Sequence, residues 1–267
     1  MLWRVLDTGV GSAPWNMAVD EALLRSCDAQ PHVTLRLYQW ERPTLSLGYF
    51  QDLSEIDLEE CARRGFDWVR RPTGGRAVLH HDELTYSFVA PIALLGESVA
   101  RSHEQISRAL ALGLERLGLR AEFAHHRERS PDLSAVCFAT PAPVELSIQN
   151  KKVIGSAQVR TQRSLLQHGS IPLSIDFEAL AAVLKISDPR ARSLLRQRAA
   201  GLREFRAISR EALRAAIRSG FEEHFRQKFT VGTLTAEEEA HARELLRRKY
   251  ATHAWNRHAS APSLLDD

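Results

Sequence analysis

The chain has 267 residues, 44% apolar and 26% charged, with a formal net charge of +3, a balance that suits one cored globular domain and excludes a nucleic-acid binder recognised by charge alone. No run approaches the roughly 18 apolar residues of a membrane helix, and Asp7 interrupts the segment where a signal peptide would stay apolar. A cytoplasmic protein is expected, with no membrane or nucleic-acid partner.

Ser12 is placed to cap a helix over residues 14–26, with Pro14 tolerated in its first turn. Residues 33–38 and 44–48 alternate as strands. Ser54-Glu55-Ile56-Asp57 opens a short helix that Gly65 ends. Residues 66–71, 77–80 and 84–90 read as strands around tight turns. Ser102-His103-Glu104-Gln105 has the form of a capping box, predicting a helix from there to Leu117 with Gly118 as its stop. Residues 144–148 and 152–159 read as a hairpin turning at Gln149-Asn150-Lys151, and residues 167–175 add a further strand. Beyond Phe177 the pattern is mostly helical, with a second capping box at Thr235-Ala236-Glu237-Glu238, and a frayed tail is expected after His258. Hairpins interleaved with single helices predict an α+β domain with one mixed, mainly antiparallel sheet and flanking helices.

Three cysteines without close spacing make neither a disulfide framework nor a metal signature. Cys27 and Cys61 fall in helical segments and read as buried apolar residues. The pairs His80-His81 and His125-His126 point to opposite faces of a strand, so each offers a metal one ligand at most, and no metal site is expected. Arginines 192, 196, 198, 203, 206, 210 and 214 crowd one stretch. They form either a solvated helix surface or a docking face for an acidic partner.

Three segments can carry chemistry. In Arg70-Arg71-Pro72-Thr73-Gly74-Gly75-Arg76, the glycines permit a turn closed to other residues, and the arginines can hold an anion or a carbonyl oxygen. No Gly-Lys-Ser/Thr follows, and a strand rather than a helix comes next, so it is neither a Walker loop nor a dinucleotide fingerprint. Taken alone, such a turn is more often just a hairpin corner. In Lys152-Val153-Ile154-Gly155-Ser156-Ala157, small residues leave room for a ligand chain beside an ammonium able to reach a carbonyl or a developing oxyanion. The plain alternative is a strand with a solvated lysine. In Ala135-Val136-Cys137-Phe138, a cysteine in a proline-rich loop can be exposed and reactive, and a nearby ammonium would favour its thiolate. Bringing Cys137 to Lys152 requires residues 138–143 to curl back over the sheet.

The run RRPTGGRAVLHHDELTYS resembles the signature of the lipoate-protein ligase and octanoyltransferase superfamily, whose catalytic fold is shared with biotin protein ligases. NKKVIGSAQ followed by LLQHGSIPL is similar to the second signature of that family, and PWNMAVDEALL and AHARELLRRKYATHAWN match in kind and order. The resemblance runs from about Trp15 to Trp255. It implies a single catalytic domain over residues 1–250, with a core of about 32–248 and a tail of 251–267. The ligases of the family activate free lipoate with ATP, using the arginine–glycine loop and a lysine matching Lys152, and many carry a further C-terminal domain for which this chain leaves no room. The Cys137 loop, and Arg76 where ligases show a third glycine, look instead like the ligase-like octanoyltransferases.

The resemblance therefore implies that Cys137, held as thiolate by Lys152, takes octanoyl from octanoyl-acyl carrier protein. It would pass the group to a lysine of a lipoyl-domain protein, such as the glycine cleavage H protein or a dehydrogenase lipoyl domain, as the first step of endogenous lipoate biosynthesis. Arg71, Thr73, Gly74, Gly75, Arg76, His80, Gly155, Ser156 and His168 would form the substrate site. No cofactor is expected, ATP entering only if the chain is a ligase, and the protein is expected to be a monomer. An ATP-dependent ligase, an octanoyl amidotransferase between lipoyl proteins and a non-catalytic binder of acylated proteins are the competing readings.

Overall fold

A computed structural model describes residues 1–124 and 145–257. Its strands are β1 (Trp3–Gly11), β2 (Val33–Trp40), β3 (Thr44–Leu47), β4 (Asp67–Arg70), β5 (Val78–His80), β6 (Glu83–Pro91), β7 (Glu122–Ala124), β8 (Glu145–Ile148), β9 (Lys151–Arg160), β10 (Ser164–Pro172) and β11 (Thr230–Gly232). The helices are α1 (Ala13–Ala29), α2 (Leu58–Arg63), α3 (Ile92–Leu95), α4 (Val99–Arg116), α5 (Phe177–Val183), α6 (Pro189–Arg198), α7 (Arg210–Phe225), α8 (Ala236–Leu245) and α9 (His253–Arg257). Eight strands form one sheet in the order β11-β1-β2-β6-β10-β9-β8-β7, parallel at β11–β1–β2 and antiparallel beyond. A second sheet, β4-β3-β5, stands beside it. The expected mixed, mainly antiparallel sheet with flanking helices is present, and the small second sheet is an addition to it. Among the described residues no helix is long and apolar enough to cross a membrane.

The period-two pattern of the central strands decides what each face buries. On β2, Val33, Leu35 and Leu37 join Leu84, Tyr86 and Phe88 of β6 in a core with Ile106 and Leu110 of α4 and Ile217 and Phe221 of α7. The opposite face of the same strands meets α1. There β2 presents Thr34, Arg36 and Tyr38, β6 presents Thr85 and Ser87, and β10 presents His168 and Ser170, all buried. Leu23, Leu24, Val89 and Leu166 supply the apolar part of that layer. Buried charge on a strand must be paired to be tolerated, so one half of this protein's core is committed to a polar network. A third cluster packs α2, α5 and α6 against the small sheet and contains Cys61, while Cys27 lies in the α1 layer; both cysteines are buried, as expected.

Several local expectations need correction. Ser12 does precede α1, but its side chain makes no capping bond. The cap of α4 is Ser98, and Ser102 lies inside the helix, donating its hydroxyl to the Val99 carbonyl oxygen. Ser54 opens no α-helix: Asp57 caps α2, accepting from Glu60 N–H at 2.9 Å, with Gly65 in the left-handed region just after it. The hairpin turn at Gln149 and Asn150 forms with both residues at positive φ, 50° and 64°, the pairing that lets strand twist continue through a two-residue turn. The Thr235 capping box is complete, with Glu238 N–H donating to Thr235 and Thr235 N–H to Glu238. Strands β1, β7 and β11 were not anticipated.

Candidate active site

Between the α1 face of the large sheet and the small sheet lies a pocket holding about 350 Å³ of space. Met17, Tyr38, Trp40 and Val78 give it apolar walls, and the backbone-rich strip Gly155, Ala157, Gly169 gives it width. Gly169 carries no side chain for a steric reason: a Cβ there would stand 2.4 Å from the Gly155 carbonyl oxygen and 2.7 Å from the Tyr86 ring. Arg71, His80, Gly155, Ser156 and His168, all expected from sequence to serve the site, line this one pocket.

Its polar residues fall into two relays that both start at Arg71. In the first, Arg71 Nε donates to Thr73 Oγ1 at 3.1 Å. Thr73 Oγ1 lies 2.7 Å from His168 Nε2, and His168 Nδ1 lies 2.9 Å from Asp20 Oδ2. A carboxylate only accepts, so His168 Nδ1 carries the proton and Nε2 receives the Thr73 hydroxyl. In the second, Arg71 Nη1 reaches Ser46 Oγ at 3.3 Å, Ser46 Oγ lies 2.8 Å from His80 Nε2, and His80 Nδ1 lies 2.8 Å from Glu83 Oε1. By the same reasoning His80 Nδ1 donates to Glu83.

The carboxylates at the far ends are well compensated. Burial would raise the Asp20 carboxyl, but Arg36 at 2.6 Å and the His168 bond outweigh it and hold it below its ordinary value. Burial, opposed by Asp20, pulls His168 down, so the pair is a carboxylate beside a neutral imidazole. Burial is likewise outweighed at Glu83, where His80, Ser170 and Thr85 all bond the carboxylate and lower it.

The Thr73-Gly74-Gly75 loop is shaped from below by the same guanidinium. Arg71 Nη2 donates to the carbonyl oxygens of Gly74 at 2.7 Å and Arg76 at 2.8 Å. Gly75 sits at φ +90°, a conformation that excludes ordinary side chains, and a Cβ on Gly48 would fall 1.8 Å from the Gly75 carbonyl oxygen. Arg70 anchors the neighbouring strand end: its Nη1 donates to the carbonyls of Gly48, Tyr49 and Gln51, and its own carbonyl accepts from Trp255 Nε1 at 2.8 Å. Asn256 Oδ1 accepts from Arg70 N–H. The segment expected to be a tail thus packs α9 against β4.

Lys152 is not in the large pocket. It lines an adjoining cavity with His103, Ser107, Glu145, Leu146, Ile154 and Ser156, and Ser156 is common to both. Its Nζ donates to Glu145 Oε1 at 2.7 Å, both side chains being buried. The solvated-lysine alternative is therefore excluded. His103 faces this cavity from α4, and burial together with the Lys152 charge lowers it to about 4, so it is neutral near pH 7.

The remaining sequence readings divide. Thr73, Gly74 and Gly75 stand behind the pocket as the relay and loop just described. The Arg76 side chain turns away and pairs with both oxygens of Glu55 at 2.9 Å, so only its carbonyl serves the loop. Cys137 lies outside the described residues. The arginine-rich stretch is largely occupied within the molecule: Arg192 and Arg196 pair with Glu178, Arg203 and Arg210 with Asp82, and Arg214 bonds Gln39. Asp20, Tyr38, Trp40, Ser46, Glu83 and Ser170 were missed; the one signal for them was polar residues interrupting strands and helix faces that otherwise read as core.

This fold and pocket define the class of protein. The structure of an archaeal bipartite lipoate protein ligase, solved with its E2 lipoyl domain from Thermoplasma acidophilum, matches with a TM-score of 0.85 and 29% identity over 99% of this chain and 100% of that one. Residues 12–222 match the lipoyl protein ligase A/B catalytic domain, and the chain belongs to that family, as an acyltransferase. Octanoyltransferase LipM of Carboxydothermus hydrogenoformans is 44% identical over 95% of this chain and 97% of its own length. The octanoyltransferase LipM of Kyrpidia tusciae is 44% identical over 95% and 98%.

Proposed function

We propose that this protein moves an octanoyl group from octanoyl-acyl carrier protein, through a thioester on Cys137, to a lysine of a lipoyl-domain protein. The observation that carries this reading is a pocket walled by Met17, Tyr38, Trp40 and small strand residues that meets, at Ser156, the cavity of the buried Lys152. The 44% identity to proteins named octanoyltransferase supports the choice of acyl group.

In the first step the Cys137 thiolate attacks the thioester carbonyl carbon, the new C–S bond forms, and the carrier-protein thiolate leaves and takes up a proton. In the second, the uncharged amine of the acceptor lysine attacks the acyl-cysteine, the amide C–N bond forms, the amine loses its proton and the Cys137 thiolate returns. An amide is more stable than a thioester, so the sequence needs no ATP. In this reading Lys152 steadies the oxyanion of both tetrahedral intermediates, and loss of one such donor typically costs about 10²–10³ in rate. Arg71, Thr73, His80 and His168, each tied into the hydrogen-bond relays, keep the pocket shaped around the acyl chain.

The test is reconstitution with purified octanoyl-acyl carrier protein and an apo lipoyl domain, without ATP, against octanoate with ATP. Acceptor octanoylation from the carrier protein alone is expected, with a fall of about 10²-fold or more in Lys152→Met. Modification only with free acid and ATP would make the chain a ligase; modification only from an octanoylated H protein would make it an amidotransferase.

A further inference from the structure

The acyl pocket has a neighbour on its other side. Leu79, Glu83, Ser170, Pro172, Ile175 and Leu180 help line a second cavity with about 370 Å³ of space. Ser170 lines both this cavity and the acyl pocket, so the partition between them is one side chain thick at that point. The partition is built from the Glu83 carboxylate. His80 Nδ1 bonds it at 2.8 Å, Ser170 Oγ donates to it at 2.5 Å, and the Thr85 hydroxyl donates as well. Its pocket side is completed by the His80 ring stacked on Trp40, with centroids 4.2 Å apart, and by the Trp40 Nε1 bond to Thr85 at 2.8 Å.

We propose that the Glu83–Ser170 pair is the end wall of the acyl pocket and sets the longest chain the enzyme accepts. This rests on the octanoyl-transfer reading for the direction of the chain, with its carbonyl toward Ser156 and Lys152 and its methyl end toward His80. A methyl group cannot displace a carboxylate held by three donors without leaving that buried charge unsatisfied. A hydrocarbon chain therefore stops at the wall, although apolar space continues behind it between Leu79, Pro172, Ile175 and Leu180. A hydrogen-bonded carboxylate at the end of the pocket defines a length more sharply than an apolar floor, because repacking cannot make room for another methylene.

The experiment compares the full chain with Ser170→Gly and Glu83→Ala, which thin the wall, and with Glu83→Gln, which keeps its bulk and removes its charge. Transfer of octanoyl, decanoyl and dodecanoyl groups from carrier protein to an apo lipoyl domain is measured, together with calorimetric binding of octanoate and dodecanoate. A buried methylene is worth about fourfold in affinity, so opening room for two or more should raise the dodecanoyl-to-octanoyl ratio at least about tenfold in the two thinned variants. Glu83→Gln should lower turnover without raising that ratio. Ser170→Gly removes one donor but keeps Glu83 bonded to His80 and Thr85, so it decides the matter if Glu83→Ala does not fold. Folded thinned variants with the wild-type ratio and no gain in dodecanoate binding would overturn the wall. If dodecanoate binding is gained while even the wild type transfers nothing, the wall stands and the transferase reading fails.

Discussion

Replacing Asp20 with asparagine tests whether the polar half of the core is held together as described. Asp20 is fully buried on α1 and accepts from Arg36 Nη1 at 2.6 Å, from Tyr38 OH at 3.0 Å and from His168 Nδ1 at 2.9 Å. Asparagine is nearly isosteric, so no cavity opens, but its amide can accept at one atom only and the Arg36 charge loses its counter-ion. Breaking a buried pair in this way costs about 3–5 kcal/mol. Arg36 keeps the Asn16 carbonyl, the Asn16 side chain and Thr8 as neutral acceptors, which places the loss near the lower end, about 3 kcal/mol. For a chain of this size that lowers Tm by about 6–12 °C. Urea unfolding followed by circular dichroism, with a calorimetric scan, measures both. A loss below about 1 kcal/mol with an unchanged Tm would refute the claim that Asp20 neutralises a buried guanidinium.

Three further outcomes are expected. His103 is neutral in the folded state down to about pH 4 but titrates near 6.5 when unfolded; the unfolded chain binds more protons between those values, so stability is lost as pH falls from 6.5 toward 4. His103→Gln should recover about 2 kcal/mol of the loss between pH 7 and pH 5 in urea titrations, leaving a residual slope from His32, His168 and His224, which shift the same way. Gly48→Ala should drive the Thr73–Gly75 loop off its position, because its Cβ cannot stand 1.8 Å from the Gly75 carbonyl; transfer should fall by about 10²-fold, well beyond the change in Tm, and equal activity would exclude a positioned loop. Trp255→Ala removes a buried indole and its bond to the Arg70 carbonyl, so about 3–5 kcal/mol of stability should go, whereas a loss under about 1 kcal/mol would show that α9 does not clamp β4.

What could be read from the sequence follows physical range. Strand alternation on β2, β6 and β10, the Gln149-Asn150 turn and the Thr235 capping box depend on neighbours in the chain, and they form as the residues suggest. Strand β1 was hidden because Asp7, Thr8 and Gly9 break its alternation. Its burial depends on partners far away, Arg4 reaching Thr34 and Glu238. Ser98 and Ser102 are both plausible caps, and only the packing of α4 on β9, where the Ser102 hydroxyl meets Gln158, tells them apart.

In the site, the Gly-Gly turn was legible because the positive φ of Gly75 leaves almost no other residue possible. Asp20, Ser46 and Glu83 were not, since each gains meaning only when α1, β3, β6 and β10 converge on Arg71, His80 and His168. The arginine-rich stretch shows the converse limit: its charge was visible, but its partners Asp82 and Glu178 were not.

The most direct test of the thioester route is intact-protein mass spectrometry after mixing the enzyme with octanoyl-acyl carrier protein, without ATP, alongside Cys137→Ala. The account predicts one octanoyl adduct on the native protein only, discharged when an apo lipoyl domain is added. An acceptor octanoylated as fast by Cys137→Ala as by the native enzyme, with no adduct on either, would contradict it.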